Sequence, residues 1–100
     1  MILYQGSTLI HRSEQLFTSA EQEVSRVVLK AGDGLARHQV NKTVVVVPIR
    51  GKIHFFGEDH DAILTPGSIV RMLPNEPHHL DAIEDSEFMV IKSALAVTES

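Results

Sequence analysis

The sequence predicts a single all-β domain of the barrel or sandwich type. Its apolar residues gather in short runs rich in Val, Ile and Phe, and Gly, Pro, Asn or Asp residues separate these runs. Apolar stretches with a 3.6-residue helical period are scarce. The 100 residues suffice for one hydrophobic core and are too few for two domains. Many short strands in one small domain are typical of a closed or two-layered β architecture.

The expected strands follow the chain in order. Seven segments have strand composition and end at turn residues, namely 23–30, 43–49, 52–56, 62–64, 68–73, 79–83 and 87–97. Further strands are expected at 7–11 and near 16–18. Thr18 and Glu21 have the spacing of a helix-capping box, but the β-branched residues after them allow one helical turn at most. We expect a motif-bearing core at about residues 24–97, preceded by N-terminal strands at about 1–23.

One expected strand is apolar at every position of the run Val44-Val45-Val46-Val47. An antiparallel strand with one wet face alternates apolar and polar residues, so both faces of this strand need cover. One face can fill the barrel. The other predicts a homodimer interface, with cover by the N-terminal strands as the alternative. Pro48 lacks an amide N–H and is expected at a sheet edge or a bulge.

Composition excludes several function classes. The formal net charge is −4, which argues against nucleic acid as a partner because phosphate binding needs a basic face. The absence of Cys excludes disulfides, thiolate catalysis and Cys-based zinc sites. The N-terminal residues do not have the pattern of a secretory signal, and the longest apolar run has six residues where a membrane span needs about 20. We expect a cytoplasmic protein without a membrane partner.

Glycines and histidines recur at fixed spacing in two segments. Five residues separate Gly32 from His38, and Gly51 follows; Gly67 precedes His78 across the turn sequence Leu73-Pro74-Asn75-Glu76-Pro77. These segments resemble the two motifs of the cupin family, Gly-x5-His-x-His-x3,4-Glu-x6-Gly and Gly-x5-Pro-x-Gly-x2-His-x3-Asn. The resemblance implies a single-domain cupin-type double-stranded β-helix, the RmlC-like jelly-roll barrel.

Half of the family's metal ligands are replaced in this sequence. The resemblance assigns His38 and His78 to two of the four ligand positions, whereas Val40 stands for a His, Val44 for the Glu, and Ala82 for the Asn of the second motif. Residues 38, 40 and 44 share parity, so on an extended chain they face the same side. Catalytic sites of the zinc type need three protein ligands. We therefore expect weak binding of a divalent metal by His38 and His78, or none, and no other cofactor.

Other residues are candidates for completing the site. His54 lies within a strand and is the better third ligand, while His60 and Asp61 lie in the next loop. Arg71 either lies on the wet face of its strand or lines the pocket and binds an anion. The expected ligand-binding pocket is lined by His38, Val40, Val44, His54, Arg71 and His78.

Three functions stay open at this point. The first is binding of a small molecule in an apolar pocket that keeps a few directional polar groups. The second is an enzyme, which the resemblance implies as an oxygenase, decarboxylase or sugar isomerase or epimerase; without metal, His78 with Asp81, or His38 with another carboxylate, would serve as a general base. The third is a ligand-sensing partner of a regulatory protein.

Overall fold

The computed structural model describes residues 1–6 and 12–94, and this part of the chain forms nine β-strands and no helix. The strands are β1 (Ser13–Thr18), β2 (Gln22–Leu29), β3 (Gly34–His38), β4 (Thr43–Arg50), β5 (Ile53–Phe56), β6 (Asp61–Leu64), β7 (Val70–Met72), β8 (His78–Ala82) and β9 (Ser86–Ser93). They form two antiparallel sheets, one of five strands in the order β1-β2-β9-β4-β7 and one of four in the order β3-β8-β5-β6. The all-β expectation is confirmed. No helix of the described residues is long and apolar enough to cross a bilayer.

The hydrophobic core lies between the inner faces of the two sheets. Strand residues alternate between the two faces of a sheet, and β4 shows this clearly, since Val44 and Val46 are buried while Val45 and Val47 are only partly buried. Both sheets contribute to one cluster: Val27, Leu29, Val44, Val46, Ile53, Phe55, Leu64, Met72, Leu80, Ala82 and Phe88.

All seven segments expected as strands contain one, with boundaries that move by a few residues. The expected strand near 16–18 is the end of β1. The segments 7–11 and 95–97 lie outside the described residues. The capping-box spacing marks a hairpin turn instead of a helix, because the Ser19 hydroxyl accepts hydrogen bonds from the N–H groups of Glu21 and Gln22 at 3.3 and 3.1 Å.

Strand β3 was not expected. Its sequence Gly-Leu-Ala-Arg-His has little β-branched character and follows a Gly-Asp-Gly turn, so composition gives no strand signal there. The strand forms because β8 supplies its hydrogen bonds, with Leu35 opposite Leu80 and His38 opposite His78. Tertiary pairing thus overrides a weak local preference.

Pro48 lies at a bulge, as expected from its missing N–H. The register between β4 and β9 shifts between Pro48 and Arg50, which leaves Ile49 out of the ladder and exposed. A bulge is one of the few places within a sheet that tolerates proline.

The outer face of the five-stranded sheet is partly covered by the N-terminal residues of the same chain. The ring of Tyr4 packs against Phe17 with centroids 5.2 Å apart, and Gly6 lies directly against the side chains of Glu14 and Arg26. These contacts lie over β1 and β2, whereas β9 separates β2 from β4, so they do not test either cover expected for the outer face of β4. The expected homodimer interface on this face stays a prediction.

Gly51 joins β4 to β5, where the chain passes from one sheet to the other. Its backbone is in the left-handed region, with φ at 88°, and a side chain there would collide with the backbone of Asp85 and with Ser86. Ser86 is fully buried, accepts a hydrogen bond from the Lys52 N–H at 3.1 Å and donates one to the Glu84 carbonyl at 2.8 Å. Glycine is therefore needed at residue 51 for two separate reasons.

A matched pair of glycine substitutions separates those two reasons. Gly67 also has a positive φ, 102°, but nothing lies within 4 Å of the space a side chain would take. We expect Gly67→Ala to lower the free energy of unfolding by about 1–2 kcal/mol, the cost of a left-handed alanine. Gly51→Ala should lower it by about 1–3 kcal/mol more, because the turn must also shift. Urea denaturation followed by circular dichroism measures both, and equal losses would contradict the packing role of Gly51.

Candidate functional site

A cavity of about 210 Å³ lies between the two sheets. Its wall is largely apolar and is formed by Val27, Leu35, Val40, Val44, Val46, Phe55, Leu80, Phe88 and Val90. The polar side chains on its lining are Arg12, Ser13, Ser25, His38, His78, His79 and Lys92. A few polar groups set in an apolar wall are typical of a site for a small molecule.

The β3–β8 pair brings His38 and His78 together in this cavity. The two residues face each other across the ladder, and their ring centroids lie 4.2 Å apart. A one-residue bulge between Leu35 and His38 makes this possible, since strict alternation from the inward Leu35 would turn His38 outward. His78 is 6% exposed and also stacks on Phe55 with centroids 5.8 Å apart.

Backbone carbonyls fix the tautomer of both imidazoles. Nδ1 of His38 lies 2.9 Å from the Ala36 carbonyl oxygen, and Nδ1 of His78 lies 3.1 Å from that of Glu76. A carbonyl oxygen only accepts hydrogen bonds, so Nδ1 must carry the proton in each neutral ring. Both Nε2 atoms are then acceptors, and neither has a hydrogen-bond partner among the described residues.

The expected pairing of a cavity histidine with a carboxylate is corrected by these contacts. Asp81 is exposed and lies on the opposite face of β8 from the buried His78, because the two residues are three positions apart in a strand. His38 and His78 are each held by a main-chain carbonyl instead. The general-base pairs proposed from the sequence are therefore not formed.

The described lining of the cavity has two basic side chains, those of Arg12 and Lys92, and no carboxylate. Lys92 lies on the inward face of β9, and Arg12 precedes β1 and donates a hydrogen bond to the Gly34 carbonyl. Glu23 is opposite Lys92 in the β2–β9 ladder, but the described residues include no ion pair of either cavity cation. The described lining of the cavity therefore has an excess of positive charge.

Burial lowers the pKa of His78 below its ordinary value of 6.5. The hydrogen bond to the Glu76 carbonyl acts in the opposite direction, while the charges of His38 and Lys92 lower the pKa further. The ring is consequently neutral at pH 7, which keeps its Nε2 lone pair available.

His54 lies outside the cavity, which corrects its expected role as a third ligand. It alternates with the buried Ile53 and Phe55, so it points to the outer face of the four-stranded sheet. There its Nε2 contacts the carboxylate of Asp61 and its ring stacks on Phe56 with centroids 4.0 Å apart. The contact with His54 also lowers the pKa of Asp61.

Arg71 lies outside the cavity as well. It faces Val45 across the β4–β7 ladder, is exposed, and lines a second cavity of about 340 Å³. That cavity is also lined by His60 and by the carboxylates Glu58, Asp59, Asp61 and Glu76, and the Phe55 side chain borders both cavities. The sequence-predicted pocket thus keeps His38, Val40, Val44 and His78, and loses His54 and Arg71.

The donors in the cavity do not fit a divalent metal held by three protein ligands. Val40 and Val44 line the cavity but offer no lone pair, and the two Nε2 atoms of His38 and His78 are one donor short of three. His79, the third imidazole on the lining, follows His78 in β8 and stacks on Phe56. The Lys92 ammonium in the same cavity opposes a second positive charge. Among residues 1–6 and 12–94, no three His, Asp or Glu side chains are grouped for metal binding.

Arg12 and Lys92 were missed at the level of sequence. Lys92 had a signal, since it shares parity with Phe88 and Val90 and so places a charge on the inward face of an apolar strand. Arg12 had none, because its place at the cavity follows from the contact between the start of β1 and Gly34 in the other sheet.

Comparison with known proteins identifies the fold. No protein-family model and no curated protein sequence matches the chain. An RmlC-like cupin family protein from Methanocaldococcus jannaschii superposes with a TM-score of 0.81 at 22% identity, covering 94% of this chain and 91% of the other. An RmlC-like cupin from Desulfovibrio desulfuricans gives 0.81 at 18% identity, covering 94% and 97%. KdgF from Halomonas sp. gives 0.77 at 17%, covering 84% and 80%.

The chain therefore has the RmlC-like cupin fold, the double-stranded β-helix that its two motifs implied. At these identities the likeness shows the fold alone. The same fold hosts many unrelated activities, so the chemistry has to be argued from the cavity.

The lowered pKa of His78 gives a direct test of the cavity's electrostatics. An NMR titration of the histidine ring protons should place the pKa of His78 below 6.5, and Lys92→Met should raise it because one of the lowering charges is removed. Lys30→Met, at an exposed residue beyond β2, is the matched control and should leave the pKa of His78 unchanged. An unchanged pKa in Lys92→Met would mean that the ammonium does not act on the imidazole.

The lowered pKa of His78 also makes the stability of the folded protein depend on pH. The unfolded chain binds a proton at His78 near pH 6.5, before the folded protein does. The contribution of this residue to stability is therefore fully present above pH 6.5 and is lost as the pH falls toward the lowered pKa of the folded state.

Proposed function

We propose that the cavity binds a small organic anion, a carboxylate attached to an apolar body, and that it does so without a bound metal. One observation carries the proposal: Lys92 and Arg12 line a largely apolar cavity, and the described residues of its lining include no carboxylate. The geometry favours neither of the other two functions, because the residues that the structure describes form no His–carboxylate pair in the cavity and define no surface for a regulatory partner.

Lys92 is half-buried on the inward face of β9 beside an apolar wall, and a partner of opposite charge would stabilise its ammonium there. An ammonium group moved out of water without a partner destabilises a protein, and such groups in native structures are paired or shift their pKa. The same sheet shows the usual solution on its outer face, where Arg26 lies 2.9 Å from Glu14 and 2.6 Å from Glu87. An anionic ligand would give Lys92 the partner that the chain provides for Arg26.

The apolar part of the cavity wall indicates the size and polarity of the rest of the ligand. Aliphatic and aromatic side chains from both sheets surround about 210 Å³. An engineered apolar cavity of about 150 Å³ takes up benzene. A single aromatic ring or a short branched chain beside the carboxylate is thus a suitable size, and larger sugars or nucleotides are not.

The first test compares acids with their uncharged amides. We expect isothermal titration calorimetry to detect binding of small carboxylates such as benzoate and phenylacetate, and no binding of benzamide or phenylacetamide. Lys92→Met should weaken the acids by about tenfold, the effect of losing roughly one charge-assisted hydrogen bond. Met keeps most of the apolar stem of lysine and removes the ammonium group, with its charge and its N–H donors.

Arg37→Met is the matched control for that experiment. Arg37 adjoins His38 in β3, is exposed, and does not line the cavity. The variant removes the same charge from the protein as Lys92→Met does, so it should leave carboxylate affinity unchanged. Acids and amides of equal affinity, or equal losses in the two variants, would contradict binding of an anion at Lys92.

The metal-free part of the proposal has its own measurement. Elemental analysis of protein purified without chelator or a His-rich tag should find far less than one equivalent of divalent metal, because two imidazole donors beside an ammonium hold it weakly. The double variant His38→Ala, His78→Ala is the control. Near-stoichiometric metal that is lost in the double variant would overturn this part of the proposal.

A further inference from the structure

We propose that the preferred ligand is a hydroxy acid, a carboxylate that also has a hydroxyl group able to donate to His38 and His78. The inference rests on the proposed anion binding and adds the second functional group of the ligand. It comes from the protonation pattern that the main chain imposes on the two imidazoles.

Each imidazole presents an acceptor to the cavity. The carbonyls of Ala36 and Glu76 hold the proton on Nδ1 of His38 and His78, so the free Nε2 atoms have lone pairs and no hydrogen. The His78 ring is buried, yet its Nε2 is not among the buried polar atoms that are sealed off without a partner. Because the ring lines the cavity, this nitrogen borders the space that a ligand would occupy.

The two neighbouring Nε2 acceptors favour ligand groups that donate a hydrogen bond over groups that only accept one. A carboxylate oxygen approaching a neutral Nε2 meets a lone pair, whereas a hydroxyl donates a hydrogen bond to it. A ligand without a hydroxyl either leaves the nitrogen unpaired or displaces a water that served it, and both cost affinity. Sites built to hydrogen-bond a hydroxyl reject the analogue that lacks it for this reason.

The imidazole acceptors and the cationic side chains lie on opposite walls of the cavity. His38 and His78 belong to β3 and β8 of the four-stranded sheet, while Lys92 belongs to β9 of the five-stranded sheet and Arg12 directly precedes its strand β1. A ligand whose carboxylate meets the cations can therefore direct a hydroxyl toward the imidazoles across the cavity. One molecule with both groups satisfies both walls.

The test uses pairs of acids that differ by one hydroxyl. We would measure mandelate against phenylacetate, each mandelate enantiomer separately, and 3-phenyllactate against 3-phenylpropanoate, by calorimetry at pH 7.5. At least one hydroxy acid should bind roughly fivefold tighter than its partner, the ratio that one net neutral hydrogen bond supplies. In His38→Phe, which keeps a ring beside His78, that ratio should fall toward one.

His54→Phe is the matched control, because the same substitution is made on the outer face of the four-stranded sheet. It should retain the preference for the hydroxyl. A second readout uses the wild-type protein and does not depend on any variant folding. In ¹⁵N-histidine NMR spectra, free protein should show Nδ1 protonated and Nε2 unprotonated for His38 and His78, and only the hydroxy acid should shift the Nε2 resonances as hydrogen-bond acceptors.

The possible results distinguish a failure of the hydroxy-acid inference from a failure of the proposed anion binding. Equal affinities within both pairs, or Nε2 resonances that do not respond to the hydroxyl, would overturn the hydroxy-acid inference and leave anion binding standing. Failure of every acid, hydroxylated or not, would overturn the proposed function itself and this inference with it.

Discussion

The register of β9 is the constraint on which the rest of the structure depends. This strand is the centre of the five-stranded sheet and pairs with β2 along one edge and β4 along the other. Its inward residues are Ser86, Phe88, Val90 and Lys92. Ser86 forms hydrogen bonds at the Gly51 turn and Phe88 fills the core. Val90 lines the cavity, and Lys92 adds a positive charge to it. A slip of one residue would turn all four outward and bury Glu87 instead, so core and cavity are fixed by the same pairing.

The two faces of the five-stranded sheet differ in how their cationic side chains are paired with carboxylates. On the outer face, Arg26 has carboxylates on both sides, and these contacts raise the pKa of its guanidinium. On the inner face, the described lining of the cavity includes Lys92 and Arg12 and no carboxylate, although Glu23 lies opposite Lys92 on the neighbouring strand. A chain with 13 acidic and nine basic residues thus has two of its cations, and none of the acidic residues that the structure describes, on this lining.

Sequence predicted the fold well because strand composition, turn residues and motif glycines act locally. The motif spacing also led to His38, Val40, Val44 and His78, which all line the same cavity. Sequence failed where a side chain's direction depends on pairing with distant residues. The face of His54 is set by the β5–β6 and β5–β8 ladders, and the position of Arg12 by a contact between sheets. Neither the strand pairing nor the contact between sheets can be predicted from the spacing of residues along the sequence.

The valines that stand at two ligand positions in the motif resemblance and the charge of Lys92 are consistent with one another in the proposed site. In the family pattern, a divalent metal would take up the imidazole lone pairs and supply the positive charge that attracts an anion. Val40 and Val44 offer no donor to the cavity, and Lys92 brings a positive charge that needs no metal. In the proposed site the lone pairs of His38 and His78 would therefore be available to the ligand itself. Carbonyls that hold Nδ1 protonated, which would orient an imidazole toward a metal, would there orient it toward a hydroxyl donor.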